Sequence, residues 1–332
     1  MQHITNGKQR VLVCPLDWGL GHATRCIPLI YTYLSKGHTV LLGGSGPSLR
    51  VLQQTFPQLQ VINFPSFTLQ YSRGASQVGA VLKALPRLLK HTWWEHKRLP
   101  QLIQQYGITQ VVSDNRFGLF TKQVPCYYIT HQLHVKLPQP FGFLEPLVAR
   151  LHRNLMNQYT ACWVPDFANK AVSLAGDLSH PKRLPNRVHY IGPLSRFADA
   201  STIDSSCLQQ SKSTSLTLAL LSGIEPQRTI FETYLLDSLQ LEPSDRVVLV
   251  QGKPQESTPM YYHGKVEVYA SLPTQQLAQL LQQASHIICR SGYSTIMDLH
   301  ALQKLSVTTW VPTPGQPEQE YLARYLRTKD FC

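Results

Sequence analysis

The sequence predicts an α/β protein made of two doubly wound domains. Short apolar runs alternate with helical segments in both halves of the 332 residues, for example at 10–15, 39–43, 216–221 and 246–250. This alternation is typical of parallel sheets covered by helices. A Ser-, Thr-, Asp- and Gln-rich stretch without periodicity separates the halves. We therefore expect an N-terminal domain over residues 1–197, a linker over 198–215 and a C-terminal domain over 216–332.

Composition and charge narrow the function classes. The chain is 43% hydrophobic and 15% charged, which indicates a folded protein, and its net charge of +12 favours an anionic partner. No RNA-binding motif or recognition helix is present, so we do not expect nucleic acid. No apolar run is long enough to span a bilayer, and the start of the sequence lacks a signal-peptide core, so we expect a cytoplasmic protein. The seven cysteines form no CxxC pair and predict buried, reduced thiols.

In the first domain, polar residues follow successive predicted strands. The predicted strands are 10–15, 39–43, 59–64, 110–113, 124–130, 161–164 and 188–191, with helices at 26–35, 48–55 and 144–159. Ligands of doubly wound sheets bind at the carboxyl ends of the strands. The loop after the first strand should therefore bring Asp17–His22 to a ligand site. Asp114–Arg116 and His131–Gln132 follow later strands and should lie nearby.

His22 is the candidate general base. It follows the two glycines of Gly19-Leu-Gly-His22 and opens a helix, and a neutral imidazole can accept a proton from a hydroxyl near pH 7. Asp17 or Asp114 would hold the ring and stabilise its charged form. Arg116, His131 and Gln132 are assigned to the acceptor side. The alternative is that His22 only caps the helix.

A long helical insertion at 74–106 interrupts the strand–helix rhythm. Its segment 81–98 combines Leu and Trp with many basic residues, a pattern typical of contact with an anionic membrane surface. The alternative is a pair of surface helices with Trp93 or Trp94 in the core.

The second domain is organised around the stretch Cys289–Asp298. A strand at 284–289 leads through a Ser/Gly turn into a helix at 295–302, and a strand at 305–311 leads into the Pro/Gly loop 312–320, with a last helix from Glu320. Such turns direct backbone N–H groups and a helix dipole at a diphosphate. A second such turn contains Ser222 and Gly223. The candidate donor-binding residues are Gly21, Ser222, Gly223, Arg228, Arg290, Ser291, Gly292, Ser294, Asp298, Gln319 and Glu320. The alternative is that these are ordinary strand-to-helix turns.

Three kinds of site are not found in the sequence. Neither a DxD pair nor clustered His/Cys ligands occur, so we expect no metal and no cofactor, with phosphate charge met by N–H groups and arginine. Neither Ser222 nor Ser291 lies in a GxSxG elbow, which argues against a triad hydrolase. Gly19-Leu-Gly21 is a poor GxGxxG match, which argues against a nicotinamide dehydrogenase.

Taken together, the motifs resemble the GT-B glycosyltransferases, and among them family 28, which includes the enzyme that adds N-acetylglucosamine to lipid I. Cys289-Arg-Ser-Gly-Tyr-Ser-Thr-Ile-Met-Asp298 is similar to the family pattern Arg-Ser-Gly-x-x-Thr-x-x-Glu. The resemblance implies two Rossmann-like domains facing a cleft, with Asp298 on the ribose and the Ser/Gly turn on the diphosphate. Gln319 matches the first residue of a Gln pair that binds the donor sugar, and Glu320 replaces the second.

The resemblance implies an inverting, metal-independent transfer of a hexose or N-acetylhexosamine from a UDP-sugar to a hydroxyl acceptor. We expect a membrane lipid or glycolipid acceptor, a role in the cell envelope and a peripheral position on the inner face of the membrane. The stretch 17–25 is also similar to a nucleotide-sugar hydrolase of the same fold, and a non-catalytic nucleotide-sugar binder is the third possibility. Family members usually end in a long returning helix, and this sequence ends too soon after Glu320 for much of one.

Overall fold

The computed structural model describes residues 7–68, 78–138, 140–198, 215–241, 243–254 and 259–329. Within them the chain forms two compact α/β units, one ending at Leu194 and the next beginning at Ser195. The predicted fold class is confirmed. The predicted linker, 198–215, lies outside the described residues except at its two ends.

The first unit is a seven-stranded parallel sheet with strand order β3-β2-β1-β4-β5-β6-β7. Its strands are β1 (Arg10–Pro15), β2 (Thr39–Gly44), β3 (Gln60–Asn63), β4 (Gln110–Asp114), β5 (Cys126–Ile129), β6 (Ala161–Val164) and β7 (Val188–Tyr190), and its helices are α1 (Gly21–Ser35), α2 (Gly46–Thr55), α3 (Val78–Tyr106) and α4 (Glu145–Met156). The strand order reverses between β1 and β4, which places the expected ligand position at their carboxyl ends.

Burial explains why these runs form the centre of the first sheet. Val11, Leu12, Val13 and Cys14 of β1 are all fully buried, so both faces of the strand are covered. A strand covered on both faces has a continuous apolar sequence, which is why β1 was predictable. Helices α3 and α4 both contribute to the core cluster that contains Leu12, so they cover the same face.

Two features of the first unit differ from prediction. Helix α1 begins at Gly21, five residues before the predicted start, so His22 lies inside its first turn. The 74–106 insertion is described from residue 78 on and is one helix, α3. Trp93 is 62% exposed and Trp94 is 37% exposed, so the alternative that placed one of them in the core is wrong.

The second unit is a six-stranded sheet with strand order β10-β11-β9-β8-β12-β13, in which the described strand pairs are parallel apart from β10–β11. Its strands are β8 (Leu216–Leu220), β9 (Arg246–Val250), β10 (Tyr261–His263), β11 (Val266–Tyr269), β12 (His286–Cys289) and β13 (Thr308–Trp310), and its helices are α5 (Gln227–Leu239), α6 (Thr274–Gln283), α7 (Tyr293–Ala301) and α8 (Pro317–Arg327). The strand order of this sheet reverses between β8 and β12. The Ser/Gly turns that follow these two strands are therefore neighbours, since Leu220 pairs with Cys289.

The second unit also departs from prediction at three places. Strand β10 was not predicted, since its exposed residues give no burial pattern. Helix α8 begins at Pro317 rather than at Glu320, because proline is well suited to a first helical turn. Ser195 and Arg196, predicted to end the first domain, belong to the second unit, where both are hydrogen-bonded to Asp298.

The prediction of buried, reduced cysteines is confirmed for those that the structure describes. Five cysteines are described (14, 26, 126, 162 and 289), and all are buried and unbridged. Burial raises the pKa of the Cys14 and Cys162 thiols to about 12 and that of Cys126 to about 11. Among the helices that the structure describes, none has the length and hydropathy to cross a bilayer.

Candidate active site

The candidate catalytic cluster lies at the reversal point of the first sheet. Because β1 pairs in parallel with β4, Pro15 and Asp114 end these strands side by side. Helix α1 starts just above this edge, and β5 brings His131 to it from the next strand. The fold therefore brings His22, Asp114 and His131 together, as the sequence predicted.

His22 is held by a buried carboxylate. Its Nδ1 lies 2.8 Å from Asp114 Oδ1, and its side chain is 16% exposed whereas that of Asp114 is fully buried. Among the described residues none is hydrogen-bonded to its Nε2. The residue at the N-cap position of α1 is Leu20, so His22 does not cap the helix and the capping alternative is wrong.

Arg25 joins the cluster and was not singled out from the sequence. Its Nε donates to Asp114 Oδ2 at 2.5 Å, its NH2 group donates to Asp114 Oδ1, and its NH1 lies 3.4 Å from His131 Nδ1. The signal was present in the spacing, because residues three apart on a helix share a face. Cys26 also contacts Asp114, with its Sγ 3.5 Å from Oδ2.

Burial and the neighbouring charges shift the pKa values of His22 and Asp114. Burial and the Arg25 guanidinium lower the pKa of His22 below its ordinary value of 6.5, and Asp114 opposes this. Arg25 and His22 hold the pKa of Asp114 well below its usual range in spite of burial. At neutral pH the arrangement is therefore an ionised Asp114 beside a neutral His22, which is the state a general base requires.

Asp17, the other predicted partner of His22, has a different role. Its Oδ1 accepts a hydrogen bond from the Ser48 backbone N–H at 3.0 Å, in the first turn of α2. A carboxylate in this position satisfies a helix N-terminus and interacts favourably with its dipole. Asp17 thus fixes the loop before α1, and the prediction that it assists His22 is not supported by its contacts.

Arg116 does not face an acceptor. It is 1% exposed, and its guanidinium donates to Glu95 Oε1 at 2.8 Å and to the Phe64 and Pro65 carbonyls at 2.9 Å each. The buried ion pair ties α3 to the loop after β4, and the carbonyl contacts tie that loop to the one after β3. The acceptor-side assignment of Arg116 is therefore corrected to a structural one. Gln132 is partly buried beside His131, with its backbone N–H on Thr130 Oγ1.

In the second unit there is free space beside the backbone of the two Ser/Gly turns. Gly223 is exposed with φ +110, and a Cβ atom at Gly223 or Gly292 would meet nothing within 4 Å. Gly292 precedes the first residue of α7 and provides no side-chain cap. Ser222 is partly buried, and Ser294 lies in the first turn of α7. Backbone N–H groups in such turns suit phosphate oxygens.

The two arginines predicted to bind diphosphate are turned inward. Arg228 Nε donates to Glu225 at 2.6 Å and its NH1 donates to Glu232 at 2.7 Å. Arg290 donates to the Pro312 carbonyl at 2.7 Å and stacks on Phe231, with its Cζ 3.9 Å from the ring centroid. Burial lowers the pKa of Arg290 to about 10. Both side chains have in-chain acceptors, so their contacts assign them to the packing of the turns.

Ser291, Gln319 and Glu320 also bond within the unit. The Ser291 hydroxyl donates to the Gln319 carbonyl at 2.8 Å. Gln319 Oε1 accepts from the Thr313 N–H at 2.8 Å, and Glu320 Oε1 accepts from the Gly315 N–H at 3.0 Å. Because α8 starts early, both side chains lie in its first turn and fold back on the preceding loop. They shape the loop that was predicted to bind the donor sugar.

Asp298 is the buried acid of the donor-side set. Its Oδ1 accepts from the Ser195 hydroxyl at 2.8 Å and its Oδ2 from Arg196 Nε at 3.2 Å. Burial raises the pKa of Asp298 although Arg196 lowers it. Nothing in the sequence around Ser195 signalled this contact, since it joins positions 103 residues apart. The Arg196 backbone N–H also bonds to this carboxylate.

No group of three or more His, Cys, Asp or Glu side chains with the geometry of a metal site occurs within the described ranges. The expectation of a metal-independent reaction stays a prediction.

Comparison with known proteins shows which families the chain resembles. Residues 227–332 match the profile described as "Glycosyltransferase family 28 C-terminal domain". An uncharacterized glycosyltransferase of Methanosarcina acetivorans is 23% identical over 341 residues, which covers 97% of this chain and 84% of the relative.

Two solved structures show the same fold. Arabidopsis thaliana UGT89C1, solved with UDP-L-rhamnose, superposes with a TM-score of 0.56 at 14% identity, covering 97% of this chain and 90% of that one. A proposed UDP-N-acetylglucosamine 2-epimerase of Listeria monocytogenes gives a TM-score of 0.55 at 10% identity, covering 96% and 87%. These likenesses confirm the two-unit α/β architecture. Residues 227–332 are similar to a glycosyltransferase family 28 C-terminal domain, and the chain over nearly its whole length is similar to glycosyltransferases.

Proposed function

We propose that the protein transfers a sugar from a UDP-sugar to a hydroxyl acceptor with inversion at the anomeric carbon and without a metal. The observation that carries this proposal is the His22–Asp114 pair, in which a neutral imidazole is hydrogen-bonded through Nδ1 to a buried carboxylate. A base held in this way, with Nε2 available, is suited to deprotonate an attacking hydroxyl.

The reaction follows from these roles. His22 Nε2 takes the proton of the acceptor hydroxyl as its oxygen bonds to the anomeric carbon. The bond from that carbon to the phosphate oxygen breaks, and its electron pair leaves with UDP. Attack from the face opposite the leaving group inverts the configuration. Asp114 stabilises the imidazolium that forms, as the carboxylate does in a Ser-His-Asp triad.

On the donor side we assign the diphosphate to backbone N–H groups of the turns at Ser222–Gly223 and Arg290–Gly292. The open space at Gly223 and Gly292 supports this, because a side chain there would block the close approach of a phosphate. Asp298 would accept hydrogen bonds from ribose hydroxyls. The choice of UDP is supported by the fold likeness to UGT89C1, solved with UDP-L-rhamnose.

A membrane-bound acceptor is supported by two apolar stripes on the first unit. Leu85, Leu89 and Trp93 of α3 are 45%, 62% and 62% exposed, and their spacing of four residues puts them on one face. Phe143, Leu147 and Leu151 at α4 have the same spacing and are 75%, 55% and 60% exposed. Exposed apolar residues arranged in this way mark interaction sites.

Basic residues accompany the stripes and favour anionic lipid. Lys83, Arg87, Lys90 and Lys97 on α3 are exposed, and Lys97 Nζ lies 5.9 Å from the Trp93 ring centroid. Aromatic rings with lysines suit the headgroup level of a bilayer. We propose peripheral attachment through this surface, which would present a lipid-linked acceptor of the cell envelope at a cytoplasmic face.

Flotation with vesicles tests the attachment. Vesicles of phosphatidylglycerol and phosphatidylcholine should carry the protein upward at low salt, and salt should weaken binding because surface charges are screened. The double variant Leu89→Gln/Trp93→Gln should float several-fold less. Ile230→Gln/Tyr234→Gln, which changes an exposed apolar pair on the other unit, is the control. Failure of the unmodified protein to float would remove the membrane part of the proposal.

The activity is tested by incubating the protein with UDP-, GDP- and dTDP-sugars, each with and without lipid extract. Transfer requires the extract and yields UDP and a glycosylated product. Release of free sugar without extract would identify a hydrolase, and UDP binding without turnover would identify a binding protein. His22→Ala should lose about 10²- to 10⁴-fold in rate while UDP binding stays unchanged.

A further inference from the structure

Arg25 has contacts that a purely structural residue would not need. It is 2% exposed and lies in the second turn of α1, and its guanidinium faces Asp114, His22 and His131 together. From these contacts we infer that Arg25 is a positioning residue that selects the reactive tautomer of His22 and keeps the ring neutral. This inference rests on the proposed role of His22 as the base.

The tautomer follows from the hydrogen bonds available around Nδ1. Asp114 Oδ1 and the Arg25 NH2 group each lie 2.8 Å from His22 Nδ1. A bare Nδ1 could accept from the Arg25 NH2 group, but its lone pair would then also face the ionised Asp114 Oδ1 at 2.8 Å, which is repulsive. A protonated Nδ1 donates to Asp114, while the Arg25 NH2 protons are received by the same carboxylate. The ring is therefore in the Nδ1–H form, and the lone pair lies on Nε2, where the proposed reaction needs it.

The guanidinium holds the carboxylate in the orientation that this choice requires. Arg25 binds both oxygens of Asp114, through Nε to Oδ2 and through NH2 to Oδ1. A two-point contact of this kind fixes the plane of the carboxylate as well as its position. Both partners are buried, so the pair lies where interactions are weakly screened.

Arg25 also controls how readily His22 becomes charged. The groups that face the ring are Arg25 of α1, Asp114 at the end of β4 and His131 after β5. The guanidinium opposes a proton on the imidazole, whereas the carboxylate favours one. Burial and Arg25 together outweigh Asp114, so the pKa of His22 lies below 6.5. Without Arg25 one of the causes that lower this pKa is gone, so the pKa of His22 would rise and the neutral fraction at pH 7 would fall.

The test is the titration of His22 by NMR in protein labelled with ¹⁵N in its histidine rings. The His22 signals are those absent from His22→Ala. Unmodified protein should show the Nδ1–H tautomer at pH 7 and a pKa below 6.5. Arg25→Gln should raise this pKa, and Arg25→Lys, which keeps the charge but not the two-point contact, should keep it low while mixing the tautomers. Arg10→Lys, which changes an arginine bonded to the Tyr106 carbonyl, is the control.

Activity gives an independent readout once a donor and acceptor are identified. The acidic limb of kcat/KM should move to higher pH in Arg25→Gln, with about a ten-fold loss per unit of movement below the limb. Unchanged tautomer and titration in the Arg25 variants would overturn the inference. So would an Nε2–H tautomer in the unmodified protein, which is measurable even if both variants fail to fold. Loss of the His22 role alone would show as an active His22→Ala, with the titration results still deciding the role of Arg25.

Discussion

The carboxyl ends of the two sheets use their polar residues in opposite ways. In the first unit, His22, Arg25 and Asp114 converge on one another, and the imidazole keeps one edge without a partner among the described residues. In the second unit, Arg228 and Arg290 stay near the strand ends but are bound by carboxylates and carbonyls of the unit. The first edge thus offers a side chain for chemistry, and the second offers backbone.

The difference follows from side-chain length at each edge. A short Asp at the end of β4 stays where the strand puts it, so strand register alone brings it beside β1. A long arginine can turn back to acceptors several ångströms away, and its burial is favourable only if those acceptors are present. The comparison makes different predictions for substitutions at the two edges: losses of rate at the first and losses of stability at the second.

The largest expected effect is that of Asp114→Asn. Asparagine fits the space, but it cannot stabilise an imidazolium or fix the Nδ1–H tautomer, so turnover should fall about 10²- to 10⁴-fold. UDP binding, measured by calorimetry, should stay unchanged. Glu145→Gln is a matched control, since its carboxylate also bonds a histidine, His134, at 3.0 Å. Equal losses in both variants would contradict the special role of Asp114.

Arg228→Met should act on stability. It leaves the Glu232 carboxylate buried without its ion pair, which typically costs about 3–5 kcal/mol. Urea unfolding measures this loss. The control is Arg246→Met, which breaks an ion pair between Glu267 and an arginine that is 40% exposed. This substitution should lower the free energy of unfolding by less than about 1 kcal/mol. If Arg228→Met kept full stability but no longer bound UDP, Arg228 would be a ligand after all.

Asp298→Ala should weaken UDP binding by about ten-fold or more, the range of a hydrogen bond to a charged acceptor. The measurement is a calorimetric titration with UDP. Asp237→Ala, which changes an exposed aspartate on α5, should leave the affinity as it is. An Asp298 variant with undiminished affinity would mean that its carboxylate serves only Ser195 and Arg196.

Lowering the pH should have opposite effects on the stability contributed by the two edges. The pKa of His22 is lowered from 6.5, so the unfolded chain takes up this proton first and stability falls as pH drops below 6.5. The lowered pKa of Asp114 adds a further loss below pH 3.8. The pKa of Asp298 is raised from 3.8, so its contribution is greatest in acid and declines as pH rises from 3.8.

Unfolding in urea across this pH range checks the prediction. The variant Asp298→Asn should gain stability relative to the unmodified protein as pH rises, because its amide stays neutral while the carboxyl group must ionise in a buried position. The variant Asp114→Asn should be less stable than the unmodified protein except in strong acid, where the carboxylate of the unmodified protein is protonated. A pH-independent stability difference for both substitutions would contradict the assigned pKa shifts.

The sequence was sufficient for what depends on strand order. Apolar runs buried on both faces identified the strands, and parallel pairing then placed His22, Asp114 and His131 at one edge. It was insufficient where a side chain chooses among partners. Asp17 binds the Ser48 N–H in the first turn of α2 rather than assisting His22, and Arg116 binds Glu95, because strand order does not determine which of several nearby partners a side chain contacts.

The buried cysteines have a practical consequence for labelling. With their pKa values raised by burial, Cys14, Cys126 and Cys162 carry almost no thiolate at neutral pH, and the thiolate is the form that reacts with maleimides. A cysteine introduced on an exposed helix position should therefore be modified selectively while these native thiols stay in place. Fluorophores for distance or membrane-depth measurements could then be attached without rebuilding the core, once Cys207 and Cys332, which lie outside the described residues, are replaced.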